Sequence, residues 1–175
     1  MGGSRVPKDS PVIEAGGEID ELSSLVGIAR SLPLPDGVDA ILQTVQERLL
    51  TAGFTIARLN SANARIPRIS DEDILELERE IDALQVQTPP LNGFILPGGS
   101  AAGAHLHLAR AVARRVERRC VALARASCAD TAELIRWLNR LSDLLFALAR
   151  FVNHAHSIGN LRKPPGNAGG SPASS

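Results

Sequence analysis

The chain has 175 residues, 44% of them hydrophobic and 22% charged, enough apolar side chains for one buried core and too many for a disordered chain. Nineteen Lys and Arg offset nineteen Asp and Glu, with an isoelectric point near 6.9. No global charge therefore draws the protein to nucleic acid or an anionic membrane, and any cationic site must be local. Aromatics make up only 3% with no Tyr, and the abundance of Leu, Ala, Ile, Val and Arg favours helices over strands. Cys120 and Cys128 have no metal-ligand spacing, and one pair is no disulfide framework, which implies a reducing compartment. No apolar run is long enough for a membrane span and the first twenty residues lack a signal-peptide core, so a cytoplasmic protein with no membrane association is expected.

Apolar spacing predicts five helices. Ile19, Leu22, Val26 and Ala29 form a stripe that stops before Pro33-Leu34-Pro35, because proline removes a donor and disfavours helix in the residue before it. Val38, Leu42, Val45 and Leu49 carry a second helix from about Gly37 toward Asn60. Ser70 can cap a third, with Asp73 at its positive end, followed by Ile74, Leu77, Ile81 and Leu84.

The fourth follows Pro97-Gly98-Gly99-Ser100 and runs to about Ser127 on Leu106, Ala109, Ala113, Val116, Cys120 and Leu123, whose small members predict close helix approach. The fifth begins at a capping-box-like Asp130-Thr131-Ala132-Glu133 and continues through Leu134, Leu138, Leu141, Leu145, Leu148 and Val152. Trp137, Leu144 and Phe151 make a second apolar row on it, so it should be central. The expected architecture is an all-α, antiparallel five-helix bundle. Residues 13–160 would form it, 1–12 a flexible N-terminal segment, and 161–175, rich in Pro, Gly and Ser, a disordered tail.

The densest chemical pattern is on the fourth helix, where Arg110, Arg114 and Arg118 share one face, with Arg115, Arg119 and the carboxylate of Glu117 among them. Such a row suits a polyphosphate, since guanidinium forks bind phosphate oxygens and stabilise a leaving phosphate chain. It is equally the pattern of a solvated face with i,i+4 pairs. Phe94-Ile95-Leu96-Pro97-Gly98-Gly99-Ser100 ends at a helix N-terminus, which reads either as an anion site or as a turn and cap, and Phe94 alone reads as core. Asn139 can face a ligand or bond a neighbouring backbone. His105 and His107 diverge around the helix and, like His154 and His156, read as structural or solvated. No nucleophilic triad, HExxH or phosphate-binding GxxxxGK[ST] is present.

Four blocks in order resemble the PduO-type ATP:cob(I)alamin adenosyltransferases. They are Arg5-Val6-Pro7-Lys8-Asp9 with Glu14-Ala15-Gly16-Gly17-Glu18-Ile19-Asp20-Glu21-Leu22, then FILPGG (94–99), LHLARAVARRVERR (106–119) and WLNRLSDLLFALAR (137–150), together spanning residues 5–152. The resemblance implies a homotrimer with sites between subunits and a transferase that moves the 5'-deoxyadenosyl group of ATP to the cobalt of cob(I)alamin, giving adenosylcobalamin and triphosphate. The cobalt is then the nucleophile, and the protein positions, desolvates and stabilises the leaving group. By position, Lys8, Arg114, Arg115, Glu117, Arg118 and Asn139 would bind ATP, with Mg2+ held mainly by the phosphates and no metal ligands from the protein. Asp20 and Arg110 would pair across the interface and, with Asn139, complete the catalytic set. Phe94 would pack under the corrin and displace its lower ligand, leaving a four-coordinate cobalt that is easier to reduce.

Members of that family usually carry a Thr- and Gly-rich ATP loop where Met1-Gly2-Gly3-Ser4 stands, so residues 1–12 would be a remnant of the ATP-binding region. Two other readings follow: a corrinoid-binding or delivery protein of the same fold with weak or no catalysis, and a helical interaction module with a solvated arginine face. A reductase or an adenosylcobalamin-dependent enzyme is the macromolecular partner implied.

Overall fold

Ser10 opens the first helix, α1 (Pro11–Arg30): its side chain accepts the Ile13 N–H at 3.4 Å, and Pro11 at the first helical position lacks a donor that would be unpaired there anyway. The helix thus starts two residues ahead of the expected domain boundary at 13. The structure, a computed structural model, describes residues 7–58, 67–91, 93–127 and 131–159. Met1–Ser4, Arg5, Val6, Asn60, Cys128, Asp130 and the expected tail at 161–175 lie outside the described residues.

All five expected helices are present: α2 (Val38–Arg58), α3 (Asp71–Val86), α4 (Ala101–Ser127) and α5 (Ala132–Ala155) follow α1. Ser70 and Asp73 form a reciprocal capping box at the start of α3, the Ser70 N–H and Oγ each 2.7 Å from Asp73 Oδ2. The expected box on α5 is not the one found. Thr131 occupies the cap position and makes no side-chain cap bond, which moves Glu133 one place too close to the start to reach back.

Pairings between helices fix their directions. Arg30 of α1 bonds Asp39 of α2 at 2.7 Å while Gln46 reaches back to Ser23 O at 2.9 Å, so these two run antiparallel. Glu14 pairs with Arg119, and Glu21 with Arg115, so α1 and α4 are antiparallel too. Contacts of Glu117 with Asn139 and of Gly98 with Asn153 set α4 and its preceding loop against α5 in the same manner. The helices alternate in direction, and α3 lies on α5 parallel to it, with Asp71 beside Arg136 and Pro89 beside Arg150.

Every stripe residue predicted for α1 and α3 is buried, as are Leu106, Ala109, Ala113, Val116, Cys120 and Leu123 of α4. On α5 the leucine row is joined by Trp137, Leu144, Ala147 and Ala149, so α5 is covered on several sides by α4, α3 and α2. The Cys120 thiol is inside this core, and burial pushes its pKa up to about 12, which keeps it protonated and inert. No described helix is long and apolar enough to cross a membrane.

Candidate functional site

Two regions meet on α4. The first is a seam with α1. Arg119 Nε donates to Glu18 Oε1 at 3.1 Å and its Nη1 stands 3.4 Å from Glu14, while Arg115 bonds Glu21 and lies 3.6 Å from Glu18. The hydrogen bond to Glu21 raises the Arg115 pKa above its ordinary value, against the opposing effect of burial and with the help of the Glu21 and Glu18 charges. Arg115 is therefore committed to α1 in this structure.

Around the helix from this seam, Glu117 is the hub. Its Oε1 accepts from Asn139 Nδ2 at 3.1 Å, and Oε2 stands 2.6 Å from Arg114 Nη1, an ion pair that lies off the hydrogen-bonding direction. Asn139 Oδ1 in turn accepts from Arg140 Nη2 at 2.8 Å, and Arg140 pairs with Asp143 at 3.0 Å. Asn139 thus bonds a carboxylate and a guanidinium rather than a neighbouring backbone. Arg114 and Arg118 remain exposed. Lys8 is exposed in the turn just ahead of α1, at the end of the bundle where Glu14 meets Arg119.

The second region lies toward the start of α4. A pocket of about 480 Å³ is lined by Leu91, Gly93, Phe94, Ile95 and Pro97 of the loop, His107 and Arg110 of α4, and Phe146 of α5. Phe94 is 92% exposed, so its reading as core is wrong, because the loop holds it off the bundle where no helix face can cover it. Arg110 leaves the row expected with Arg114 and Arg118: its Cζ stands 5.3 Å from the centre of the Phe146 ring, a cation–π contact. Arg150 approaches the same ring at 5.9 Å.

His107 is neither solvated nor tied to its own helix. It is 4% exposed, its ring is 6.0 Å from Phe146, and its Nδ1 has no hydrogen-bond partner among the described residues. Burial first, then the Arg110 charge, lowers its pKa, so it is neutral at pH 7. His105, by contrast, sits 2.8 Å from Ala101 O in the first turn. Asp20 is far from these groups in the single chain, in an apolar groove between α1 and α2 with Gly16, Ile19, Leu50, Gly53 and Phe54.

Along α4 the two regions are close. From His107 to Glu117 the helix rises only about 15 Å, at 1.5 Å per residue. Sequence reasoning missed Phe146, Arg150 and Asn153, which recur at i, i+4 and i+7 on α5 and so share one face. Two polar residues in the otherwise apolar stretch from Leu144 to Asn153 were the available signal.

The chain matches the family model described as cobalamin adenosyltransferase over residues 1–152. It is 39% identical over 163 residues to the corrinoid adenosyltransferase of Bacillus subtilis, covering 91% of this chain and 83% of that one. To corrinoid adenosyltransferase MMAB of Mus musculus it is 43% identical over 156 residues, 86% of this chain but only 65% of the mouse protein's length. Among solved structures, a variant PduO-type ATP:corrinoid adenosyltransferase from Lactobacillus reuteri complexed with cobalamin and ATP is similar, with a TM-score of 0.84 and 30% identity over 91% of this chain and 87% of that one. With matches of this extent in both sequence and fold, the chain belongs to the cobalamin adenosyltransferase family.

Proposed function

We propose that the protein transfers the 5'-deoxyadenosyl group of ATP to cob(I)alamin. The observation that carries this is one helix presenting both halves of the chemistry, exposed arginines beside Glu117 and Asn139 for the phosphate chain and the Phe94 pocket for a corrinoid. The Co(I) electron pair attacks C5' of ATP, the Co–C bond forms, and the C5'–O bond breaks with its electron pair leaving on triphosphate. Arg114 and Arg118 offset that negative charge, with Lys8 closing the phosphate site from the N-terminal turn. Arg115 joins them by exchanging its α1 carboxylates for phosphate. Glu117 holds Asn139 and Arg114 in place, and Asn139 orients the nucleotide.

Mg2+ travels with the phosphates. Both oxygens of Glu117 are already engaged by Asn139 and Arg114, and no three His, Cys, Asp or Glu side chains converge among the described residues, so the donor set fits a phosphate-held ion better than a protein cage. Phe94, projecting from its loop, takes the space below the corrin and excludes a lower ligand, which eases reduction to Co(I).

The functional assembly is a homotrimer of cytoplasmic chains, each contributing the five-helix bundle that opens at Pro11. Leu50, 63% exposed, and Phe54, 46% exposed, border the groove that holds Asp20. A second copy covering this groove brings the partner subunit's Arg110 to Asp20. Asp20→Asn and Arg110→Ala are then both expected to weaken the trimer in sedimentation, and unchanged assembly and activity in both refutes the pairing.

The decisive assay is anaerobic turnover of the full chain with chemically reduced cobalamin, ATP and Mg2+, following loss of the cob(I)alamin spectrum and release of triphosphate. One triphosphate per alkylated cobalt supports the transferase. Corrinoid binding without triphosphate release supports the corrinoid-delivery reading instead.

A further inference from the structure

The segment between α3 and α4 is held at both ends by side chains one turn apart on α5. At its start, Arg150 Nη2 donates to Pro89 O. At its end, Asn153 Nδ2 donates to Gly98 O at 2.9 Å, while Asn153 Oδ1 accepts from Ser100 N at 2.9 Å and Ser100 Oγ at 3.0 Å. Both α5 residues are costly to bury, Arg150 being 8% and Asn153 2% exposed.

The fit around Asn153 leaves no room for drift. A Cβ on Gly99 would lie 2.4 Å from its Nδ2, and one on Gly103 would lie 2.3 Å from its Oδ1, while Gly99 also has φ +104°. Two glycines, one in the loop and one in the first turn of α4, are thus required by a single amide. Ser100 passes the restraint on, because its Oγ accepts the Gly103 N–H at 2.9 Å and caps α4. Between the two anchors the chain leaves the bundle, with Leu91 46%, Phe94 92% and Leu96 49% exposed. Ile95 beside Phe94 makes a β-bridge pairing, and among the described residues the side chains that bond the loop are Arg150 and Asn153, so the reach of Phe94 over the pocket depends on where these two anchor it.

We propose that Arg150 and Asn153 are positioning residues that set the reach of Phe94 into the corrinoid pocket by pinning the two ends of the segment that carries it. The proposal rests on the assignment of Phe94 to the corrinoid made above. Arg150 has a second hold on the pocket through the Phe146 ring, so one α5 face orders both the loop and the wall opposite it.

The test uses the full chain with Asn153→Ala, and Asn153→Asp as a milder second variant that keeps the acceptor for Ser100 but loses the donor to Gly98. Amide exchange at Gly98–Gly103 is expected to speed up roughly tenfold in both variants. Bound cob(II)alamin is expected to show a smaller four-coordinate fraction in its absorption and electron paramagnetic resonance spectra. Turnover from cob(II)alamin with reductant should fall roughly tenfold, and turnover from pre-reduced cob(I)alamin by no more than about twofold, the size of effect expected from displacing a positioned group. In a Phe94→Ala background, Asn153→Ala should add almost nothing, as for two residues that act as one unit.

Equal loss in both turnover assays, or a wild-type four-coordinate spectrum in both variants, overturns the proposal. So does unchanged amide exchange, a measurement that needs no corrinoid. A wild-type protein that never forms the four-coordinate species contradicts the proposed function instead, and exchange still decides whether the anchors hold.

Discussion

Along α4, the turns from Arg114 to Arg119 meet their neighbours through carboxylates, whereas the turns from Gly103 to Arg110 meet theirs through an aromatic ring and a buried amide. In the first region Arg114, Arg115 and Arg119 each have a carboxylate oxygen within reach and lie near solvent, so the pairs can exchange one anion for another at little cost. In the second, His107 Nδ1 and Arg150 Nε are buried without a hydrogen-bond partner among the described residues, and the loop touches α5 at fixed points. The difference teaches that one helix can carry an adaptable anion surface and a rigid apolar pocket within a few turns. Adaptability suits a phosphate chain that enters with its own charge, and rigidity suits a substrate that must be held against a wedge.

The comparison breaks most visibly at Phe94. Phe94→Ala should cut turnover from cob(II)alamin roughly a hundredfold while leaving the ATP dissociation constant within about twofold. Steady-state rates beside nucleotide titration measure the split, and equal losses would mean that the wedge and the phosphate site are not separate.

Stability sharpens the contrast in rigidity. Gly103→Ala places a methyl 2.3 Å from Asn153 Oδ1, so the amide must leave its bonds or the helices must part, at about 2 kcal/mol. Urea unfolding should report it, and a change below about 0.5 kcal/mol would show that the anchor is slack.

A pH series probes the buried histidine. Burial holds the His107 pKa below its ordinary 6.5. Its contribution is fully present above about pH 6.5, the unfolded value, and declines as pH falls, because the unfolded chain takes up a proton that the folded chain refuses. His107→Phe should flatten the fall in stability as pH drops below about 6.5, by no more than about 1.4 kcal/mol per pH unit. An identical slope in the variant would mean that His107 protonates freely in the fold. Arg119→Ala is expected to do least, below about 1 kcal/mol and less still at high salt, since the side chain is 51% exposed.

The five helices were legible because apolar spacing survives burial: Leu22, Leu42, Leu77, Leu106 and Leu141 are all interior where period alone put them. The site was legible only in part. Arg114, Glu117 and Asn139, which the resemblance assigns to one ATP site, lie in contact with one another. The Glu18 and Glu21 partners of Arg119 and Arg115 were not foreseen, since these pairs join residues about a hundred positions apart and need the fold to be known. For Phe94, the residue type taken alone says core, whereas its loop leaves it 92% exposed beside the pocket. Asn153 was hidden in a helix read for its leucines, and its role appears only when Gly99 and Gly103 are seen to leave room for it.

The division of labour along α4 is tested most directly by titrating ATP and cob(II)alamin separately into Arg114→Ala. ATP binding is expected to weaken at least about tenfold, from loss of a charge-assisted phosphate contact, with the corrinoid dissociation constant within about twofold of wild type. Equal weakening of both ligands, or of the corrinoid alone, would contradict the assignment of the exposed arginines to the phosphate chain.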